Sequence, residues 1–312
     1  MFEIRRYTQD RTKEWNDFVR NSKNGTFLFD RSYMDYHADR FSDYSLMVFR
    51  RGKLYALLPA NADGTTLVSH QGLTYGGLVM NDRATAADIV RVFKLLNDYL
   101  RNDGFRRVVY KSVPWIYHRQ PAEEDLYSLV EVCGTTLCAR NLSSTISRAQ
   151  HNVWYRIRMC GARKAKAAGV VIEETENYTS FWQILTENLR LRYGLTPVHT
   201  IEEILLLHQR FPEHIRLVVA KEAGVVVGGT LLYITDQVVH SQYIAANARG
   251  KEIHALDYLF EVVIRQSLEK HPYFDFGIST EEHGTYLNEP LIYQKEGFGG
   301  RGICYDTYEW EI

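Results

Sequence analysis

The sequence predicts a mixed α/β (α+β) protein built twice over, each half a mixed central sheet flanked by helices. Three observations carry this reading. The chain has 312 residues, more than one compact domain usually holds. Apolar residues make up 45% of it, enough for two full cores and too many for disorder. Hydrophobic periodicity then gives the same order of elements twice: helix, helix, three strands, helix, strand.

In the first half, "RTKEWNDFVRNS" sets Trp15, Phe18 and Val19 at helical spacing. "DRSYMDYHADRF" follows as a second helix, with Asp30 as its N-cap. "SLMVFRRGKLYALLPAN" is two strands joined at Arg51-Gly52-Lys53, a hairpin signal, and "TTLVSHQGL" is the third. "ATAADIVRVFKLLNDYLRNDG" puts Ile89, Val92, Phe93, Leu96 and Leu100 on one helical face and stops at Gly104. "FRRVVYKSV" is the strand after it.

The second half repeats the order. "TSFWQILTENLRLRYG" carries Phe181, Ile184, Leu185 and Leu189 on a helix closed by Gly194, and "TIEEILLLHQRF" is the next helix. "IRLVVAKEAGVVVGGTLLYI" reads as two strands around a glycine and "QVVHSQYIA" as the third. "HALDYLFEVVIRQSLEK" is the long helix, and "YFDFGIS" the strand that follows. The halves divide into residues 1–147 and 148–312.

Net charge is −1, so no general attraction to polyanions follows and DNA is not an expected partner. Cys133, Cys138, Cys160 and Cys304 form no CxxC pair or zinc spacing. No metal site is expected, and the thiols read as reduced packing residues of a reducing compartment. The opening "MFEIRRYTQDRTKEW" has charges where a signal peptide needs an apolar run. No uncharged apolar run nears the roughly 18 residues of a transmembrane helix. A cytoplasmic location is the expectation.

The join between the halves is basic. From Arg148 to Gly169, "RAQHNVWYRIRMCGARKAKAAG" holds six Arg or Lys and no acid. Arg156, Arg163 and Lys164 share one helical face. Either this is a solvated face, or Arg163 and Lys164 clamp the phosphates of a donor.

Polar chemistry concentrates in "FDFGISTEEHGTYLNEPLIYQKEGFGG". On a strand over 273–278, Phe274, Phe276 and Ile278 face the core, and Tyr273, Asp275 and Gly277 the other side. Asp275 then stands on a surface where Gly277 leaves room, with Ser279 at the strand end, a place where open α/β sheets bind ligands. Glu281, Glu282 or His283 could take a proton from an attacking amine. Alternatively, Ser279 or Thr280 caps a helix over "TYLNEPLIYQKEG", with acids in its first turn.

In "VVHSQYIA", alternation sets His240 and Gln242 on one face with Val238, and Ser241 and Tyr243 on the other. The tandem reads as a cleft wall with His240 as a proton carrier, or as one exposed polar face. "SHQGLTYGGLVM" brackets Tyr75 with glycines, so Gln71 and Tyr75 either face a ligand or build a tight turn. His199 precedes Thr200, which has Glu203 in capping-box position; it faces substrate or belongs to that cap. Ligands favour the cleft between two such halves.

Three features together resemble the Fem-type ligases and their GNAT-like relatives: the basic helix "RKAKAAGV" leading into a strand, the helix "FWQILTENLRLRYG", and "DFGIST…LIYQKEGFGG". Within that superfamily the chain looks most like bacterial GNAT-domain, FemAB-like proteins of polysaccharide or envelope gene sets. The resemblance runs from about Trp154 to Trp310, and covers the first half by architecture alone. It implies tandem GNAT-like domains, with the last strand, about 302–312, returning to the first. It also implies acylation of an amine. Fem ligases move an amino acid from aminoacyl-tRNA to a peptidoglycan precursor, while relatives use acyl-CoA.

Lys295, in "QKEGFGG", matches the lysine of the Fem motif that lies at the acyl donor, where its charge would stabilise an oxyanion. "ANARGKEIHALDYLF" stands where GNAT enzymes open a helix with an (Arg/Gln)-x-x-Gly-x-(Gly/Ala) loop for the coenzyme A pyrophosphate. Arg249, Gly250 and Lys251 are thus implied donor-phosphate contacts, although the spacing differs and most glycines are missing. Fem ligases carry an acid before a proline late in the first domain; here "YKSVPWIY" has Lys111 and Ser112 ahead of Pro114. No long coiled-coil insertion is present.

The expected function is transfer of an acyl group from a phosphate-bearing donor, acyl-CoA as co-substrate, to an amine of an amino-sugar or envelope-precursor acceptor. Glu281, Glu282 or His240 would be the base, and Lys295 would stand at the oxyanion. Two alternatives stay open. One is an aminoacyl-tRNA-dependent Fem-type ligase, disfavoured by the near-zero net charge. The other is a non-catalytic binding module of the same fold.

Overall fold

A computed structural model describes the backbone of residues 1–312 and every side chain but that of Tyr193. The chain divides into two units: Met1–Asn141, Thr280–Tyr286 and Cys304–Ile312 form the first, Leu142–Ser279 and Leu287–Ile303 the second. Two strands, Thr136–Ser147 and Arg301–Glu311, have residues in both.

In the first unit the hairpin at Arg51-Gly52 forms as the sequence predicts. Leu46–Arg50 and Lys53–Leu58 pair antiparallel, between Phe2–Arg6 on one side and Val79–Met80 on the other. The Ala86–Asn102 helix buries the predicted stripe, Ile89, Val92, Phe93, Leu96 and Leu100, in the same core as these strands. A further set of strands includes Thr66–Val68, parallel to Arg107–Lys111. The second helix is shorter than its pattern: Asp30 caps it, accepting from Ser32 N at 2.9 Å, but α-helix covers only Arg31–Met34. It then passes into a 3-10 turn at Asp35–His37.

In the second unit the strands run in the order Val171–Glu174, Ile215–Glu222, Val225–Ile234, Val238–Ala246, Tyr273–Ile278, Thr136–Ser147. Among the registers that fix this order, one is parallel, Val238–Ala246 with Tyr273–Ile278. A parallel pair needs a crossover. The Ala255–Lys270 helix supplies it, packing Leu259, Phe260, Val263 and Ile264 in one core with Leu232, Val239, Phe274 and Phe276.

The basic segment forms the Arg156–Ala167 helix, which lies on the Ala255–Lys270 helix and is pinned by Arg158 to Asp257 at 2.9 Å. Gly161 is required at that contact, since a Cβ there would stand 1.9 Å from Asp257 Oδ2. The other sheet face carries the Tyr178–Tyr193 and Ile201–Arg210 helices, with Phe181 close over Gly229 and Trp182 against Tyr243. The predicted ends hold: Gly194 takes φ +66°, and Thr200 with Glu203 makes a full capping box.

Two local expectations are corrected. Ile278 is exposed rather than core, because Gly277 takes φ +77° and breaks the alternation of its strand. The helix read from Thr285 starts only at Glu289, capped by Asn288 Oδ1, which accepts from Leu291 N at 3.1 Å. Glu282, His283 and Gly284 before it all take positive φ, which a right-handed helix cannot contain. Among the described residues no helix is long and apolar enough to cross a membrane.

Candidate active site

The site of interest is where two strands part. Val238–Ala246 and Tyr273–Ile278 pair through only three positions: Val238 with Tyr273, Val239 with Phe274, and His240 with Asp275. Each strand is then irregular. Against Val225–Ile234 the register steps from Leu232–Ser241 to Leu231–Tyr243, so Gln242 is an extra residue. Against Thr136–Ser147 it steps from Asp275–Thr145 to Ile278–Ser143, with the surplus at Phe276-Gly277. Bulges end pairing and re-aim side chains, which is why they recur beside active sites. Past His240, among the described residues, the strand to Ala246 has no strand partner on this side.

The first bulge changes which side chains share a face. Cross-strand partners point the same way, so His240 follows Tyr233 and Tyr243 follows Leu231. Leu231 and Tyr233 are two apart on one strand and face alike. Tyr243, not Gln242, therefore joins His240, correcting the simple alternation. Gln242 keeps a buried Oε1 with no hydrogen-bond partner.

His240 Nδ1 lies 2.8 Å from Asp275 Oδ2. Asp275 is fully buried, and its other oxygen accepts from Ser143 Oγ at 2.5 Å and Thr145 Oγ1 at 2.7 Å. Burial alone would raise this carboxyl, but the His240 contact and the two hydroxyl hydrogen bonds bring it below its ordinary value. An ionised carboxylate only accepts, so Nδ1 carries the proton of this contact, and Nε2 is the ring nitrogen left to meet a ligand. Gly277 makes room for that ring: a Cβ there would stand 3.2 Å from His240 Cε1.

Lys295 is buried in the same unit. Its Nζ donates to Gly277 O at 2.8 Å and Ile278 O at 2.7 Å, tying the Glu289–Glu296 helix to the irregular strand end. Burial pulls its pKa down to about 8, opposed by the negative charge of Asp275. Two of its three N–H groups are spent, and one remains for a ligand. Ser279, next along, is buried with an Oγ that has no partner, while its N donates to Leu142 O at 2.8 Å. His199 Nδ1 meets the Tyr243 hydroxyl at 2.7 Å, and burial pushes that phenol up to about 12.

The other candidates make contacts of their own. Glu281 and Glu282 are exposed residues of the first unit, as is Gln71, which bonds Asn61 and Asp63. Tyr75 is buried in the first unit's aromatic packing, its hydroxyl donating to Thr26 Oγ1 at 3.0 Å. Lys111, in the place of the missing acid, donates to the carbonyls of His70, Gln71 and Leu73, and burial pulls it down to about 8.

Arg249 is ion-paired with Glu222 at 2.6 Å and Glu252 at 3.0 Å, and Lys251 donates to Asn188 Oδ1 at 2.9 Å. The amide of Gly250 is taken by the cap Asn247, 2.8 Å away. Asp257 occupies the first turn of the Ala255–Lys270 helix with its own partners, Arg158 and His254. Arg163 and Lys164 are exposed on the Arg156–Ala167 helix, across the sheet from His240.

Ser143 and Thr145 do not stand out in the sequence, because the polar Thr136–Ser147 strand lacks a clear apolar alternation. Their signal is the two-residue spacing of hydroxyls in "SSTIS", which sets Ser143, Thr145 and Ser147 on one face.

Residues 147–284 match the family model for the acetyltransferase (GNAT) domain. None of the curated proteins matches the sequence. The fold is similar to that of FemX, at 11% identity over 99% of this chain and 97% of that one, with a TM-score of 0.70. It is similar to L-PGS from Bacillus licheniformis, at 11% identity over 97% and 91% of the chains, TM-score 0.63. It is also similar to a tandem GNAT protein from the clavulanic acid biosynthesis pathway, at 13% identity over 100% and 98%, TM-score 0.51. The tandem GNAT-like fold that the resemblance implies is the fold observed, similar to those of FemX and the tandem GNAT protein.

Proposed function

We propose that this protein is an amine N-acyltransferase in which His240, held by Asp275, is the general base. One observation carries the reading: a buried Asp275–His240 pair inside the segment that matches the GNAT domain, held by Ser143 and Thr145 from just before that segment, stands where two strands part. A histidine whose Nδ1 proton is fixed by a carboxylate presents a basic Nε2.

The amine nitrogen attacks the acyl carbonyl carbon, and the carbonyl π pair moves onto oxygen. The proton released by the amine passes to Nε2 of His240, while the Asp275 carboxylate steadies the imidazolium. The spare N–H of Lys295 donates to the oxyanion. Collapse re-forms the carbonyl, breaks the bond to sulfur or oxygen of the donor, and returns the proton to that leaving group.

The donor is acyl-CoA in the first reading. Its pantetheine arm carries amides suited to the open edge beyond His240, in the manner of an added strand. The acceptor is an amine of an amino sugar or envelope precursor, as the Fem resemblance implies. A second reading, an aminoacyl-tRNA donor, draws on a specific observation: Arg249 is already ion-paired, and Asp257 already sits at the helix N-terminus that a pyrophosphate would use.

Incubating the protein with a panel of amines and either acyl-CoA thioesters or aminoacyl-tRNA, with mass-spectrometric readout, tests both. An acylated amine formed from one donor class supports acyl transfer and selects the donor. No product from either class, with neither donor protecting the protein thermally, overturns it.

A further inference from the structure

We infer that the Arg156–Ala167 helix and its approach form a face that docks on an anionic phospholipid bilayer. The inference does not depend on the acyl-transfer reading, because this helix lies across the sheet from His240. The first observation is charge without compensation. Of the six cations from Arg148 to Lys166, Arg158 is paired with Asp257 and Lys166 with Glu261. Arg148, Arg156, Arg163 and Lys164 are exposed and make no ion pair among the described residues.

The second observation is apolar surface in the same place. Val153 is 60% exposed, Ile157 51% and Met159 42%, and Tyr293, whose ring packs on Tyr155, is 53% exposed. At 100° per residue, Arg156 and Arg163 lie at the middle of the outward face, with Ile157 and Lys164 on one flank and Met159 on the other. Gly161, Ala162 and Ala165 point inward. A water-exposed helix normally mixes acids with its cations and keeps large apolar groups inside. Cations among exposed aliphatic and aromatic residues suit the headgroup–acyl boundary, where phosphates meet the charges and acyl chains meet the side chains. RNA would satisfy the cations but leave Val153, Ile157 and Met159 in water. A bilayer satisfies both.

The test is co-sedimentation of the full chain with phosphatidylcholine vesicles containing or lacking phosphatidylglycerol, at low and high salt, with and without bulk tRNA. Binding is expected to need the anionic lipid and to weaken with salt. Charge reversal of Arg156, Arg163 and Lys164 should lower partitioning by about 100-fold or more, since each cation near such a surface is worth about fivefold. Val153→Asp with Ile157→Asp should lower it at high salt as well, and the melting temperature of each variant should match wild type because the residues are exposed. Failure to bind anionic vesicles, equal binding to neutral ones, or binding of tRNA alone would overturn the inference. Acylation of a water-soluble amine, measured without vesicles, should be unchanged in both variants, so loss of the lipid face and loss of the acyl-transfer reading are told apart.

Discussion

Asp275 and His240 meet across the last parallel step of their strands, Oδ2 to Nδ1 at 2.8 Å, with two hydroxyls on the other carboxylate oxygen. Asp275→Asn keeps the shape and removes the charge that steadies an imidazolium. Turnover should fall by about 100- to 10,000-fold, with donor KM little changed. Stability should fall by about 1–3 kcal/mol, because buried donors lose a charged acceptor. The folded-state carboxyl is lowered, so its contribution is present above the ordinary carboxylate range and lost as pH falls through the lowered value. Denaturation of both proteins across acidic pH should show the gap between them narrowing; a constant gap would contradict an ionised Asp275.

Lys295 is the second group to titrate unusually. Its ammonium is lost as pH rises through about 8, so kcat should decline above that pH rather than near 10. Lys295→Met should lower kcat by about 100- to 1000-fold and remove that alkaline limb. Stability moves in the opposite sense. Between about 8 and the ordinary lysine value the unfolded chain holds the extra proton, so wild type should gain on Lys295→Met as pH rises. Turnover of the variant within a few-fold of wild type would reduce Lys295 to a tie between helix and strand.

Gly277 is where backbone conformation and ring position coincide. An alanine there must take φ +77°, at about 1–2 kcal/mol, and sets a methyl 3.2 Å from His240 Cε1. Gly277→Ala should lower the melting temperature by roughly 2–8 °C and turnover by at least about tenfold. Wild-type turnover in a destabilised variant would mean that the bulge serves folding and does not aim the ring.

Much of the fold was legible because it rests on short-range pattern. The stripe from Ile89 to Leu100, the Gly194 terminus and the Thr200–Glu203 box are local signals with local causes. The site was legible in its residue types but not in its pairing. His240 and Asp275 are 35 residues apart, and their contact depends on which strands are neighbours. Gln242 misled because one extra residue inverts a face, and nothing in "VVHSQYIA" announces a bulge. Ser143 and Thr145 sit on a strand rich in polar residues, whose apolar pattern is weak until its two neighbours are known. Arg249 and Lys251 looked available because sequence shows charges and not the Glu222, Glu252 and Asn188 that engage them.

The central claim is that His240 Nε2 accepts the amine proton. It is tested most directly by single-turnover rates of wild type and His240→Gln on one donor–amine pair. The account predicts a fall of about 100-fold or more, with the affinity for the donor little changed. A His240→Gln rate within a few-fold of wild type would contradict it.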